Sequence, residues 1–467
     1  MGLLNWIKGV WNRLFKKEAQ ETFNVDVLLS TKMEQEVKLW EQIYLKNPPW
    51  VDEKIKTIGF GKVIASETAR LATLELEITV DGSARATYLQ GEINKFKDKI
   101  RTYLEYACAY GGIFLKPSGK GIDYVLAGNF IPTETDGNDN INAGIFFDFL
   151  QKGDKHYTRM EYHRFIESEE QRLYAISNRA YVSEDENELG KPINLLDVPE
   201  WSVLEPDVFI DGLEKTLFAY LKMPMANGVD IDSPLGVSIY SDAVEELKDL
   251  DIAFSLNSRE IEDSEKILLL DDRLMNATGT NLKTRQSDIE LPHYVHNVFG
   301  SGADEFYKEI NPQLNTDTRL TGINNLLSFI GYKCGFSNGY FSFDKARGLK
   351  TATQVEAEDK RTIETIADVR TSLKSAIEHL IYALDKYADL YGLASFGTYE
   401  ISYYFKDITV SFAEDRQRYY NLAMAGKFPW KKYYMEYEGY SEDEVDELLK
   451  MIAEENKQPT LYDDLEE

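Results

Sequence analysis

Cysteine is almost missing from this chain: Cys108 and Cys334 are the only two in 467 residues. Two thiols cannot build a disulfide framework or a Cys-based metal cluster, and such scarcity fits folding in a reducing compartment. Histidine is nearly as rare, with His156, His163, His293, His296 and His379 making up the set. His293 and His296 have the spacing of two metal ligands on a turn. No Cys, Asp or Glu at finger or zincin spacing completes that site, so neither a metal nor any other cofactor is expected. Basic charge is also short, with 52 Lys and Arg against 80 Asp and Glu and a net charge of −28. Proteins that grip DNA draw much of their affinity from neutralised phosphates. The missing basic footprint therefore argues against tight DNA binding. No apolar run approaches the roughly 20 residues that span a bilayer. Walker, GxGxxG and GxSxG patterns are absent. Adjacent carboxylates such as Asp271 and Asp272 are what chance supplies among so many acids. No enzyme is expected.

Aromatic residues, in contrast, abound, with 29 Tyr and 23 Phe. That is too many for a disordered chain, and the length predicts two or more lobes. At the N-terminus, Leu3, Trp6, Ile7, Val10 and Leu14 share one helical face. Without a long apolar stretch or a small-residue cleavage site this segment is not expected to be a signal peptide, and a helix docked on its own protein or a neighbouring subunit is favoured over one lying on a membrane. Helices are expected at 31–46, 61–74 and 91–110, and a half-buried strand at 74–80. From Gly111 to about Met223 the pattern changes to short strands divided by Gly, Asn and Asp.

Ser233-Pro234-Leu235-Gly236 is expected to open a long helix with Ile239, Ala243, Leu247, Leu250, Phe254 and Ile261 on one face. Its other face is acidic, with Asp242, Glu245, Glu246, Asp249, Asp251 and Glu260. A short β-rich insert follows at 264–311, where KILLLDD is expected to be an edge strand. A returning helix at 312–335 carries Leu320, Ile323, Leu327 and Ile330. Next comes an aromatic, turn-rich loop at 336–350. From Thr351 to Tyr391 neither Gly nor Pro interrupts the chain, and apolar residues recur every three or four positions from Ile363 to Tyr391. That run predicts a helix of roughly 60 Å, at 1.5 Å per residue. A strand is expected at 399–410 and a small helical cap at 414–456, with Ser441 as N-cap and Glu444 at the capping-box position.

The loop and helix start carry a specific string: Gly339-Tyr340-Phe341-Ser342-Phe343-Asp344, then Gly348-Leu349-Lys350-Thr351-Ala352-Thr353-Gln354-Val355-Glu356. It resembles the "SFD…TATEV"-like junction of portal proteins of tailed bacteriophages, siphophage type, with Gln354 where those proteins often have Glu. The order of elements over 230–456 is similar as well. The resemblance implies an α+β, portal-like ring subunit. Residues 1–235 would be a wing, with 393–411 returning to it. Residues 236–263 and 312–335 would be two stem helices, and 264–311 a clip. Residues 336–391 would be the tunnel loop and long tunnel helix, and 412–467 a crown with an acidic tail.

It further implies a closed ring of about twelve copies at the capsid vertex of the virion, assembled in the host cytoplasm. The ring would serve as conduit for DNA packaging and ejection. Its implied partners are the terminase motor, a head–tail adaptor, capsid and scaffold proteins, and double-stranded DNA that passes without tight binding; no membrane is involved. Leu247, Leu250, Phe254, Leu320, Ile323 and Leu327 are expected at the stem interface. Glu245, Asp249 and Glu260 would face the channel. Tyr340, Phe341, Phe343, Lys345, Arg347 and Lys350 would be the DNA-proximal loop residues. Two other classes stay open: a different ring-forming component of a phage tail or connector, and an acidic hydrolase.

Overall fold

The computed structural model describes residues 15–119, 121–167, 172–263, 267–270, 294–296, 307–310, 315–343, 352–405, 412–438 and 440–455. The face from Leu3 to Leu14 therefore lies outside the described residues. Two compact units divide the chain, one ending at Phe405 and the other beginning at Lys406.

The first unit begins with helix α1 over residues 15–23. Buried Phe15 and Ala19 seat it on the chain's own sheet, where Phe23 packs on Tyr162 at 5.0 Å. Helix α2, Thr31–Tyr44, starts where the Ser30 hydroxyl accepts from the Met33 N–H, and buries Met33, Val37, Trp40, Ile43 and Tyr44. Helix α3 is Phe60–Ala72. Strand β1, Glu77–Asp81, comes later than expected because Leu74 still belongs to the turn leaving α3. Helix α4, Ala84–Tyr110, is capped by Ser83 and stopped by Gly111 at φ +83°.

Strands fill the next stretch as the sequence predicts. They are β2 (Gly112–Ser118), β3 (Gly121–Leu126), β4 (Phe130–Thr135), β5 (Ile141–Lys152), β6 (Lys155–Glu167), β7 (Arg172–Ser183), β8 (Lys191–Ile193), β9 (Asp207–Asp211) and β10 (Ala219–Lys222). One sheet has the order β10-β2-β3 and a larger one runs β4-β5-β6-β7-β8, with β9 also on β7. Phe114 of the small sheet stacks on Tyr220 at 4.3 Å and meets Phe130 at 3.8 Å, which fastens the two sheets through an aromatic core.

Helix α5 is Val244–Asp263, preceded by a 3₁₀ turn at Ser241–Ala243, so it begins later than the expected Gly236. The reason is tertiary. The N–H of Ile239 donates to the Cys108 carbonyl at 2.9 Å, at the open C-terminal end of α4. The Gly236 backbone presses against Gly111 so closely that a Cβ there would sit 2.2 Å from the Gly111 carbonyl oxygen. Backbone groups that a helix would have paired internally are instead spent on α4.

The insert holds β11 (Ile267–Leu270), β12 (Tyr294–His296) and β13 (Tyr307–Ile310). The expectation of an edge strand at KILLLDD is corrected here: β11 is central, parallel to β12 and antiparallel to β13. Helix α6, Thr316–Lys333, returns, and α7, Ala352–Tyr391, is the continuous long helix that was expected. Its apolar stripe is core from Ile366 to Ala388, packed on β10 and β2. Strand β14, Glu400–Tyr404, pairs with β1. Arg85 fixes the return of the chain: its guanidinium donates to the carbonyls of Asp385 (2.7 Å), Ala394 (2.9 Å) and Ser395 (3.1 Å) and pairs with Asp389.

The second unit contains α8 (Phe412–Met424), α9 (Trp430–Tyr437) and α10 (Glu442–Glu455). The Ser441 N–H donates to the Glu444 carboxylate at 2.8 Å, and the Glu444 N–H donates to Ser441 Oγ at 3.5 Å; this is the capping box the sequence predicts. Among the described residues, no helix is long and apolar enough to cross a membrane.

Candidate functional site

Helices α5 and α6 form an antiparallel hairpin whose inner seam is built from Leu247 and Leu250 on one side and Ile323, Leu327 and Ile330 on the other, all buried. Both ends of the hairpin are tied by charge. At its base Lys333 Nζ donates to Glu246 Oε1 at 2.6 Å and to the Asp242 carbonyl at 2.9 Å. Toward its tip Arg319 pairs with Glu260, which also accepts from the Asn315 N–H at 3.0 Å.

This geometry redistributes the six residues expected at an interface. Leu247, Leu250, Ile323 and Leu327 are consumed inside the chain. Phe254 and Leu320 stand about 40% exposed, at 40% and 42%. They are joined by Ile261 on α5 and by Phe329 and Tyr332 on α6, all exposed. The acidic face is redistributed too. Asp251 is buried and accepts from Trp50 Nε1 at 2.9 Å and from the Ile58 N–H at 3.0 Å, so it holds the 50–58 segment against α5. Glu246 and Glu260 are tied to α6. Of the expected channel-facing acids, Glu245 and Asp249 remain open to solvent, together with Asp242, while Glu260 does not.

The loop that precedes α7 is anchored at its base. Ser337 N–H donates to Thr362 Oγ1 at 2.8 Å, and Thr365 Oγ1 donates to the Gly335 carbonyl at 2.9 Å. Phe341 lies edge-on to Phe60 at 5.1 Å and to Phe336 at 4.7 Å. The Tyr340 hydroxyl donates to Glu67, whose carboxylate also grips Arg70 through two bonds of 2.6 and 2.7 Å. The Arg70 contact holds Glu67 below the usual carboxylate range, and burial pushes the Tyr340 hydroxyl up. Tyr340 and Phe341, two of the residues expected near DNA, are thus held by contacts within the chain. Phe343 is 73% exposed, and its N–H donates to Asn324 Oδ1 at 3.0 Å. Lys345, Arg347 and Lys350 lie outside the described residues.

A second polar constellation was not anticipated. On β6, Arg159, Glu161 and His163 alternate onto one face of the sheet. Glu161 receives Lys116 Nζ at 2.8 Å, Arg159 at 2.7 Å and His163 Nε2 at 2.7 Å. Burial would raise the Glu161 pKa, but these three partners override it and hold the carboxyl well below its ordinary range. The Tyr174 hydroxyl accepts from the Leu217 N–H at 3.1 Å, so its own proton goes to His163 Nδ1 at 2.9 Å. That leaves His163 neutral, with its proton on Nε2 toward Glu161, and burial lowers its pKa accordingly. Charged residues at every second position of a strand were the signal in the sequence. Among the described residues, no group of three or more His, Cys, Asp or Glu is arranged to hold a metal ion. His293 lies outside them, and His296 ends β12.

Comparison with known proteins adds three findings. The family model described as phage portal protein, SPP1 Gp6-like, matches residues 76–458. No curated protein matches the chain. Among solved structures, a chain from the neck of a native GTA particle, computed with C12 symmetry, is similar at 9% identity and a TM-score of 0.38, covering 86% of this chain and 92% of that one.

Proposed function

The chain belongs to the SPP1 Gp6-like family of phage portal proteins, and from that premise we propose which of its surfaces build the ring and which meet DNA. As a portal protein it is a component of the capsid vertex, a ring subunit that conducts DNA in packaging and ejection and contacts capsid and tail components. In our reading, residues 1–235 with 393–411 form the wing, α5 and α6 the stem, 264–311 the clip, α7 with its loop the tunnel element, and 412–467 the crown. The chain acts by assembly and carries no catalysis of its own. The clip is read as the contact for the packaging motor and head–tail adaptor, and about twelve copies close the ring.

The observation that carries this reading is the hairpin's division of labour. Its inner seam is complete within one chain, yet Phe254 on α5 and Phe329 on α6 remain partly exposed. A head-to-tail ring requires two different patches on each subunit, and one patch per helix meets that need. Glu245 and Asp249, solvated on the face of α5 away from the seam and without an ion pair among the described residues, give the channel a lining that repels phosphates and lets DNA slide. Lys345, Arg347 and Lys350 are the loop cations that touch the backbone transiently.

The test is Phe254→Asp combined with Phe329→Asp, read by light scattering and electron microscopy. Loss of rings with the circular dichroism of the folded chain retained supports the seam. Normal rings overturn it. Replacing Lys345, Arg347 and Lys350 by Ser should leave assembly intact and lower the DNA content per particle.

A further inference from the structure

A cavity of about 570 Å³ lies along the whole length of β3, from Gly121 to Leu126. Strand β3 is the outer strand of its three-stranded sheet, and among the described residues it pairs only with β2. Residues from both of its faces line this one cavity. Asp123 and Val125 share a face with Lys116 and Phe114 across the ladder, and Lys116 reaches toward the six-stranded sheet at Glu161. Tyr124 is on the opposite face and meets Tyr103 of α4 at 4.6 Å. A space bounded by both faces of an edge strand lies beyond that edge, in the plane of its sheet. Its walls are α4 on one side, with Phe96 and Lys99, and the larger sheet on the other, with Phe146 and Arg159.

We propose that this slot accepts an extended peptide segment of a partner protein, which adds to β3 as a fourth strand. Every second residue of β3 directs its N–H and C=O away from β2, and an added strand satisfies those groups by main-chain bonding. The walls specify the side chains. Toward the larger sheet the segment meets Val125 and the edge of Phe146, next to the carboxylates of Asp123 and Asp148, which favours apolar residues there. Toward α4 it meets Lys99. The other cations of the slot are already committed: Lys95 to Glu92 at 2.6 Å, and Lys116 and Arg159 to Glu161. Lys99 is exposed and makes no ion pair among the described residues. The occupant therefore alternates apolar residues with carboxylates, the carboxylates on the α4 side. This inference does not depend on which residues close the ring.

The experiment uses the full chain and a fluorescein-labelled hexapeptide of alternating valine and glutamate, followed by fluorescence polarisation and hydrogen exchange. The expected result is saturable binding that slows exchange at alternate β3 amides. Methylating the peptide's alternate backbone nitrogens, or making Lys99→Glu in the protein, should each weaken binding by about tenfold or more. Three outcomes overturn the proposal: no saturable binding, equal binding of the methylated peptide, or β3 amides already equally protected before peptide is added. The last would mean that a second copy of the chain fills the slot in the assembled ring.

Discussion

The six-stranded sheet and the α5–α6 hairpin handle charge in opposite ways. In the sheet, Glu161 turns inward and is surrounded by Lys116, Arg159 and His163, so each charge has a fixed partner and little water. In the hairpin, the paired acids sit at the two ends, while Glu245 and Asp249 stay solvated and Phe254 and Phe329 are partly exposed. Burying a charge demands that it be neutralised in place, which costs stability if any partner is lost. Leaving it in water costs almost nothing and keeps it available to act at a distance. The sheet holds itself together with its charges; the hairpin displays them.

Breaking the sheet's cluster should have the largest effect. Glu161→Ala strands Lys116 and Arg159 without their shared carboxylate, and a loss of about 3–5 kcal/mol is expected in denaturant unfolding. The hairpin's apolar seam comes next: Leu327→Ala should cost about 2–5 kcal/mol by opening a cavity. Phe254→Ser, by contrast, loses a side chain that is already 40% exposed and should cost the chain only about 1–2 kcal/mol while acting chiefly on assembly. Comparing unfolding midpoints with sedimentation of the two variants separates the inner seam from the outer one.

Proton linkage sharpens the contrast further. His163 has a lowered pKa when folded, so the unfolded chain binds the extra proton first. Its contribution is present above the ordinary histidine value of 6.5 and fades as pH falls toward the folded value. Glu161, also lowered, contributes above about 4.5 and fades in more acidic solution. Glu41 on α2 runs the other way. Burial pushes it up to about 7, so it disfavours the fold as pH rises past 4.5, fully so above 7. Glu41→Gln should therefore stabilise the chain by about 1–3 kcal/mol at alkaline pH, with the gain disappearing in acid. Unfolding midpoints measured across that range check both signs. The smallest effect belongs to the partly exposed Lys333–Glu246 pair, where Glu246→Gln should cost only about 0.5–1 kcal/mol and less in high salt.

Much of this molecule was legible in its residues, and the gaps have physical causes. Helix α7 could be read almost to the residue, because an uninterrupted apolar stripe without Gly or Pro has few alternatives. The start of α5 could not, since Gly236 to Ala243 have helical spacing and lose it only through contacts with Cys108 and Gly111, more than a hundred positions away. The same applies to the candidate site. Periodicity identified Leu247 and Leu327 as buried, but not whether their partner was the same chain or another. Tyr340 and Phe341 read as loop aromatics because Phe60 and Glu67, which hold them, are remote in sequence. Composition located the carboxylates but could not separate Glu260, spent on Arg319, from Asp249, left free.

Arg85 has a mechanical consequence. Its guanidinium holds Asp385 and Asp389 on the last turns of α7 together with Ala394 and Ser395 in the segment that leaves it. Tension applied to that segment loads these contacts in parallel, so they must yield together instead of peeling one by one. A strut some 60 Å long thus ends in a rivet, suited to a subunit that must keep its shape while a stiff polymer is driven through the assembly.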